Sequence, residues 1–164
     1  MYGETKLAGE QQVREVEPDA AVCRLSFVWG RHGATGELEG FPAWVLGRAR
    51  DGESVPAFID QYVTPTRAGY AAEVVLALLE DGAGGVFHVA SRECVTPYEF
   101  AEMVIENVGV VGPELIVEGS LDDVGRPAPR PVDTCLSTTR KVPAKDEAQS
   151  TLIDEVTMAT SVEQ

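Results

Sequence analysis

Four short apolar runs alternate with segments of helical periodicity along this chain, and that alternation limits the fold more than any other feature. Residues 21–29 are mostly apolar and stop at Gly30, the pattern of a strand covered on both faces. Residues 54–59 and 85–90 read as further strands, and residues 115–117 as a shorter one. Between them lie four predicted helices. Residues 3–16 carry Leu7, Val13 and Val16 among their apolar positions and are stopped by Glu17-Pro18-Asp19. Residues 42–51 have Pro42 in the first turn and Gly52 beyond the end. Thr66 is the expected cap of a third helix, in which Ala71, Val74, Val75, Leu78 and Leu79 fall at helical spacing before Asp81-Gly82. Thr96-Pro97-Tyr98-Glu99 is a capping box that opens a fourth, through Phe100, Met103 and Val104 to Gly109. Gly82, Gly84 and Gly85 form a helix-to-strand turn, and residues 126–131 are a proline-interrupted loop. Beyond residue 140 the chain is polar, with one short helix expected over residues 152–158. Strands alternating with helices predict an α/β fold with parallel pairing.

The length, 164 residues, suits one domain with a real core. Charge narrows the partners. There are 27 Asp and Glu against 13 Lys and Arg, a formal net charge of -14, and the only lysines are Lys6, Lys141 and Lys145. Such a surface repels phosphate backbones, which argues against nucleic acid and anionic membranes. Two readings of the acidity stand: adaptation of the whole surface to high salt, where repulsion is screened, or an acidic patch serving one partner. No apolar run approaches bilayer length, and Met1-Tyr2-Gly3-Glu4 has neither the basic start nor the apolar stretch of a signal peptide, so a cytoplasmic location is expected. Cys23, Cys94 and Cys135 show no CxxC pair, and His32 and His88 stand far apart. Reduced, structural cysteines and no metal site are the expectation.

The chemistry gathers at the N-terminus. Tyr2 and Lys6 stand four residues apart on the first predicted helix and share a face. A phenol titrates near ~10, too high for easy proton donation at neutral pH, and a neighbouring ammonium stabilises the phenolate. Such a pair suits carbonyl reduction: the tyrosine protonates the oxygen while a nicotinamide delivers hydride to the carbon. Taken alone, Tyr-x-x-x-Lys also occurs on ordinary solvated helices. A second glycine pattern, Gly30-x-x-Gly33-x-x-Gly36, follows a strand and precedes a helix, as a dinucleotide loop would. Here Glu37-Leu38-Glu39-Gly40 separates it from Pro42 and would set two carboxylates beside a pyrophosphate, so a flexible loop rimming a substrate cleft is the better reading.

Tyr2-Gly3-Glu4-Thr5-Lys6-Leu7-Ala8-Gly9-Glu10 and the following Cys23-Arg24-Leu25-Ser26-Phe27-Val28-Trp29-Gly30 resemble the active-site helix and next strand of extended short-chain dehydrogenases/reductases. Within that family, Asp60-Gln61 with Thr64-Pro65-Thr66, and Arg126-Pro127-Ala128 with Arg130-Pro131-Val132-Asp133-Thr134-Cys135-Leu136, are similar to the substrate-domain segments of dTDP-4-dehydrorhamnose reductases. The resemblance covers residues 2–137 in unbroken order.

It implies the C-terminal remainder of a Rossmann-like parallel sheet with a small α/β substrate-binding lobe, all in one truncated domain over residues 1–164. Residues 1–30 and 66–91 would be the dinucleotide-fold remnant, residues 31–65 and 92–140 the lobe, and residues 141–164 a polar tail. It implies Tyr2 as general acid, and Lys6 as ligand of the nicotinamide ribose. Ser26 would lie beside the nicotinamide. Phe27 would lie beside the sugar, where these reductases often carry tryptophan. Gln61 would line the substrate site, and Arg130 would face the nucleotide-sugar diphosphate, with a surface ion pair as its alternative. The cofactor would be NADPH or NADH and the partner a nucleotide-sugar, with a homo-oligomer or a complementing N-terminal half as further partners. The family's phosphate loop precedes the tyrosine, so a chain that opens at Tyr2 is expected to be inactive alone. The function implied is 4-keto reduction in the dTDP-L-rhamnose pathway. Alternatives are a nucleotide-sugar epimerase or dehydratase, or a regulatory subunit of the same fold.

Overall fold

A computed structural model describes residues 2–109, 113–126, 128–137 and 156–157. In chain order the elements are α1 (Tyr2–Val16), β1 (Ala21–Leu25), β2 (Val28–Arg31), β3 (Leu38–Glu39), α2 (Phe41–Arg50), β4 (Val55–Phe58), β5 (Thr66–Arg67), α3 (Ala68–Glu80), β6 (Gly85–Val89), α4 (Pro97–Val108) and β7 (Ile116–Gly119). Short 3-10 turns flank β7 at Pro113–Leu115 and Leu121–Asp123. The fold is mixed α/β with parallel pairing of β1 with β6, β4 with β7 and β2 with β5, while β3 runs antiparallel beside β2.

Local chemistry accounts for the elements that matter to the site. The Thr96 hydroxyl accepts the Glu99 N–H (3.1 Å) and the Glu99 carboxylate accepts the Thr96 N–H (2.7 Å), so two orphan donors at the start of α4 are satisfied reciprocally. Gly109, left-handed at φ 62, ends the helix. Helix α2 starts at Gly40, where φ is 83 and an added Cβ would lie 3.1 Å from the Trp29 Cα; both the conformation and the space require glycine.

Two apolar clusters form. The larger sets α2 and α4 against β4 and β7: Val45, Leu46, Ala49, Val55, Ala57, Phe100, Val104, Ile105 and Ile116 are buried there, with Trp29. The smaller sets Ala71, Val74 and Leu78 of α3 on Phe87 and Val89 of β6. The tail helix expected over residues 152–158 lies outside the described residues except for Val156 and Thr157. Val156 is fully buried in the larger cluster and the Thr157 hydroxyl donates to Asn107 Oδ1 (2.7 Å), so this part of the tail is not merely polar surface.

Several expectations are corrected. Residues 21–29 are two strands, broken at Ser26-Phe27, where Phe27 has φ 45. β1 is not covered on both faces: Ala21, Arg24 and Leu25 are exposed. Apolar composition reports that a strand can be buried; it does not supply the covering layer. Leu7, Val13 and Val16 of α1 are exposed too, and α1 buries no residue at all. Thr66 does not cap α3. It lies in β5 and donates its hydroxyl to the Thr64 carbonyl, while Arg67 occupies the cap position. Leu79 is exposed, and Leu115 belongs to a 3-10 turn rather than to β7. The segment holding Gly30, Gly33 and Gly36 is a β-hairpin closed by His32 N–H to Glu37 O and Gly36 N–H to His32 O (2.8 Å each), with the His32 ring accepting from Ala34 and Thr35 N–H. That closure makes it a hairpin turn and not a phosphate loop at a helix start.

The cysteines depart from expectation as well. Cys94 and Cys135 form a disulfide, their Cα atoms 5.7 Å apart. Spacing along the chain hides the reason: Val95 and Asp133 pair with Val63 and Tyr62, so both cysteines are brought to one segment across 41 residues of sequence. Asp133 also lies near these sulfurs, but the bonded pair presents no thiolate to a metal. Cys23 remains a thiol, and burial raises its pKa, which disfavours the thiolate.

With no buried side chain, α1 depends on a forked ion pair: Arg24 of β1 donates to both Glu10 carboxylate oxygens, at 2.9 and 2.7 Å. That bond, before all else, holds the Glu10 carboxyl below its ordinary range. Glu10→Gln should speed amide exchange in α1 while leaving α4 protected, read by hydrogen–deuterium exchange with mass analysis. Equal acceleration in both helices would contradict this anchoring role.

Candidate active site

A cavity of about 690 Å³ opens between the start of α1, the β1–β2 break, α2, the end of β4 and the loop after residue 125. Tyr2, Ser26, Phe27, Gln61 and Arg130 all line it. Lys6 does not; its ammonium lies over the Tyr2 ring, 5.5 Å from the centroid, as the one-turn spacing on α1 requires. Five of the six residues singled out from the sequence therefore meet at one cavity, and the sixth touches one of them.

Each is placed by a traceable cause. Tyr2 is 77% exposed at the first turn of α1, its phenol free to reach a ligand. Ser26, at the end of β1, donates to the Thr134 carbonyl (3.4 Å), tying the strand end to the late loop. Phe27 adopts a left-handed backbone that costs about 1–2 kcal/mol for a residue with a Cβ. The turn is held by ring contacts with Phe41 (centroids 5.4 Å) and Phe100 (6.4 Å). Phe41 stacks on Phe100 at 5.5 Å and meets Trp44 at the same distance, so the cavity floor is an aromatic layer continuous with the core.

The loop of the far wall is fastened along residues 58–64. Asp60 accepts the Ser120 hydroxyl and the Leu121 N–H (3.0 Å), and its carboxyl is held below the ordinary range chiefly by the Ser120 bond. A depressed carboxyl contributes stability above its unfolded pKa and loses it as pH falls through the lowered value, so this anchor is intact at neutral pH. Tyr62 N–H donates to Val132 O (2.7 Å), Thr134 N–H to Tyr62 O (2.9 Å), and Leu136 N–H to the Thr64 hydroxyl (3.3 Å).

Phe41, Trp44, Phe58, Pro97 and Arg126 also line the cavity and were not singled out from the sequence. Phe58 and Trp44 carry no motif. Arg126 had a signal, in its place four residues before Arg130 in the arginine-proline loop. Among the described residues lining this cavity there is no Asp or Glu, although the chain carries 27 of them. The cavity thus combines aromatic walls, a phenol and two guanidiniums, which suits an anionic ligand with a ring-shaped body.

A parallel α/β fold with a Tyr-x-x-x-Lys helix at a ligand-sized cavity defines a short-chain dehydrogenase/reductase architecture. The model of the RmlD substrate binding domain matches residues 1–152, and the chain belongs to that family. Among its relatives is the probable low-salt glycan biosynthesis reductase Agl14 of Haloferax volcanii, 45% identical over 156 residues, which are 94% of this chain and 51% of that protein. The dTDP-4-dehydrorhamnose reductase of Mycolicibacterium smegmatis is 33% identical over 145 residues, 88% of this chain and 43% of that one. The fold matches the crystal structure of a Bacillus anthracis dTDP-4-dehydrorhamnose reductase in complex with NADP, with a TM-score of 0.81 at 21% identity over 99% of this chain and 55% of that one. The chain spans about half the length of the curated relatives it matches. Among the described residues no helix is long and apolar enough to cross a membrane.

Proposed function

We propose that this chain supplies the acid pair and the substrate cavity of an NAD(P)-dependent reductase acting on the 4-keto carbon of a nucleotide-sugar, as the dTDP-4-dehydrorhamnose reductases among its relatives do by name. One observation carries this reading above the rest. In a chain of net charge -14, the described residues lining the cavity beside the Tyr2 phenol include Arg126, Arg130 and several aromatic rings, and none of them is a carboxylate. A selected anion-binding surface accounts for that exclusion; a solvated helix start does not.

The residues fit one end of a nicotinamide dinucleotide. Tyr2 is open to solvent with Lys6 over its ring, and Ser26 stands at the adjoining strand end, a set that suits a ribose and its nicotinamide. A reduced nicotinamide, when bound, supplies the hydride. The Tyr2 hydroxyl gives its proton to the carbonyl oxygen as the carbon is reduced, so ketone, hydride and proton close to an alcohol. Lys6 holds ribose hydroxyls, its ammonium kept beside the Tyr2 ring by the one-turn spacing on α1. Phe27 and Gln61 orient the sugar, and Arg130 takes diphosphate oxygens. The dTDP-L-rhamnose route is the pathway this reading favours.

Joining residues 2–164 behind the first half of the Haloferax relative gives a protein of the relatives' length. It should oxidise NADPH only when a dTDP-4-keto-6-deoxy sugar is present, followed by absorbance. Oxidation that ignores the sugar nucleotide, in a folded chimera, would contradict the assignment.

A further inference from the structure

We propose that Arg126 is a second ligand for the diphosphate, beside Arg130, and that the ring of Phe58 positions it. The inference rests on the reading of the cavity as a nucleotide-sugar site.

The Arg126 guanidinium lies over the Phe58 ring, 5.3 Å from the centroid, and both side chains line the cavity together with Arg130. Arg126 is exposed, and an exposed arginine with no task ranges through many rotamers. The aromatic face restricts it to the cavity side. The carboxylates nearest in sequence do not claim it. Asp123 accepts the Ser120 N–H (3.0 Å) inside its own turn, and among the described residues neither Arg126 nor Arg130 makes an ion pair. In a chain with 27 acidic residues, two guanidiniums on one cavity wall with no carboxylate partner among the described residues are a strong sign of an anion site.

The backbone bearing them is fixed at both ends. Ser120 and Leu121 hang from Asp60 on one side, and Val132 and Thr134 bond Tyr62 on the other. Phe58 ends β4, and Asp60 and Tyr62 follow within four residues across a bend, so a single run of chain holds the loop ends and the Arg126 side chain. One forked cation suits one phosphoryl group; two suit a diphosphate. Arg126 therefore separates a nucleoside diphosphate from a monophosphate, a discrimination Arg130 alone would not make.

Calorimetric titration of the 164-residue chain with dTDP, dTMP and thymidine at one ionic strength tests this. The chain should bind dTDP tightest and thymidine weakest. Arg126→Ala should weaken dTDP by about tenfold to a hundredfold, the range for a charge-assisted bond, and leave dTMP and thymidine nearly unchanged. Phe58→Leu keeps the apolar bulk and removes the ring; it should weaken dTDP alone, by about two- to fivefold. Arg130→Ala should weaken dTDP and dTMP together. If Arg126→Ala leaves dTDP affinity intact while Arg130→Ala lowers it, the role given to Arg126 is overturned and the nucleotide-sugar reading stands. If the unaltered chain does not distinguish dTDP from thymidine, both fall.

Discussion

Tyr2→Phe should lower turnover of a 4-keto nucleotide-sugar by ~10² to 10⁴, the scale of losing a general acid. The substitution removes one hydroxyl and keeps the ring on which the Lys6 ammonium rests, so α1 and its contact remain. Tyr2 is exposed and buries nothing, hence no fold stability is lost with the oxygen. Substrate affinity should change far less than turnover, because the aromatic floor and Arg130 are untouched. Lys6→Ala should differ in kind: turnover falls and cofactor binding weakens together, since both the ribose contacts and the cation beside the phenol are gone. Steady-state kinetics of the chimera with each variant separate the two patterns. Near-normal rates for both folded variants would reduce the Tyr2–Lys6 pair to a solvated helix start.

The second large effect concerns stability. Phe100 is fully buried and meets Trp29 (centroids 5.7 Å), Phe41 (5.5 Å) and Phe27 (6.4 Å). Phe100→Ala should cost about 3–5 kcal/mol, because the transfer energy of the ring is lost and a cavity is left among rings too stiff to close it. For a chain of this length that is a fall in melting temperature of roughly 6–20 °C, measurable by calorimetry. The same variant removes a ring that holds the strained Phe27 turn, so ligand affinity should fall even at temperatures where the protein stays folded. A fall in Tm of under about 2 °C would mean the aromatic layer is not continuous with the core.

Local signals were legible in the sequence wherever local chemistry decides the outcome. The Thr96 capping box, the Pro42 helix start, the Asp81-Gly82 stop and the α3 face of Ala71, Val74 and Leu78 were all foreseen, because each depends on neighbours within a few residues. The β1–β2 break was not, since it turns on Phe27 taking a positive φ that Phe41 and Phe100 stabilise from afar. The Thr66 assignment failed for a related reason: pairing with Val28 made it a strand residue, and no local pattern encodes that partner. The disulfide was hidden because Cys94 and Cys135 meet through a third segment. At the cavity, residues in motifs could be singled out from the sequence and wall residues could not. Tyr2, Ser26, Gln61 and Arg130 sit in recognisable strings, whereas Phe58 and Trp44 become cavity residues only once β4 and α2 are placed.

The central claim is that this chain carries the sugar-nucleotide cavity and the Tyr–Lys pair, while its one glycine-rich segment of dinucleotide spacing is a hairpin. Titrating the 164-residue chain by calorimetry with a dTDP-sugar and, separately, with NADPH tests it most directly. A ribose contact without a pyrophosphate cradle holds a dinucleotide poorly. The dTDP-sugar should give a measurable isotherm, and NADPH an affinity too weak to resolve at micromolar concentrations. Micromolar binding of NADPH with no binding of the dTDP-sugar would contradict it.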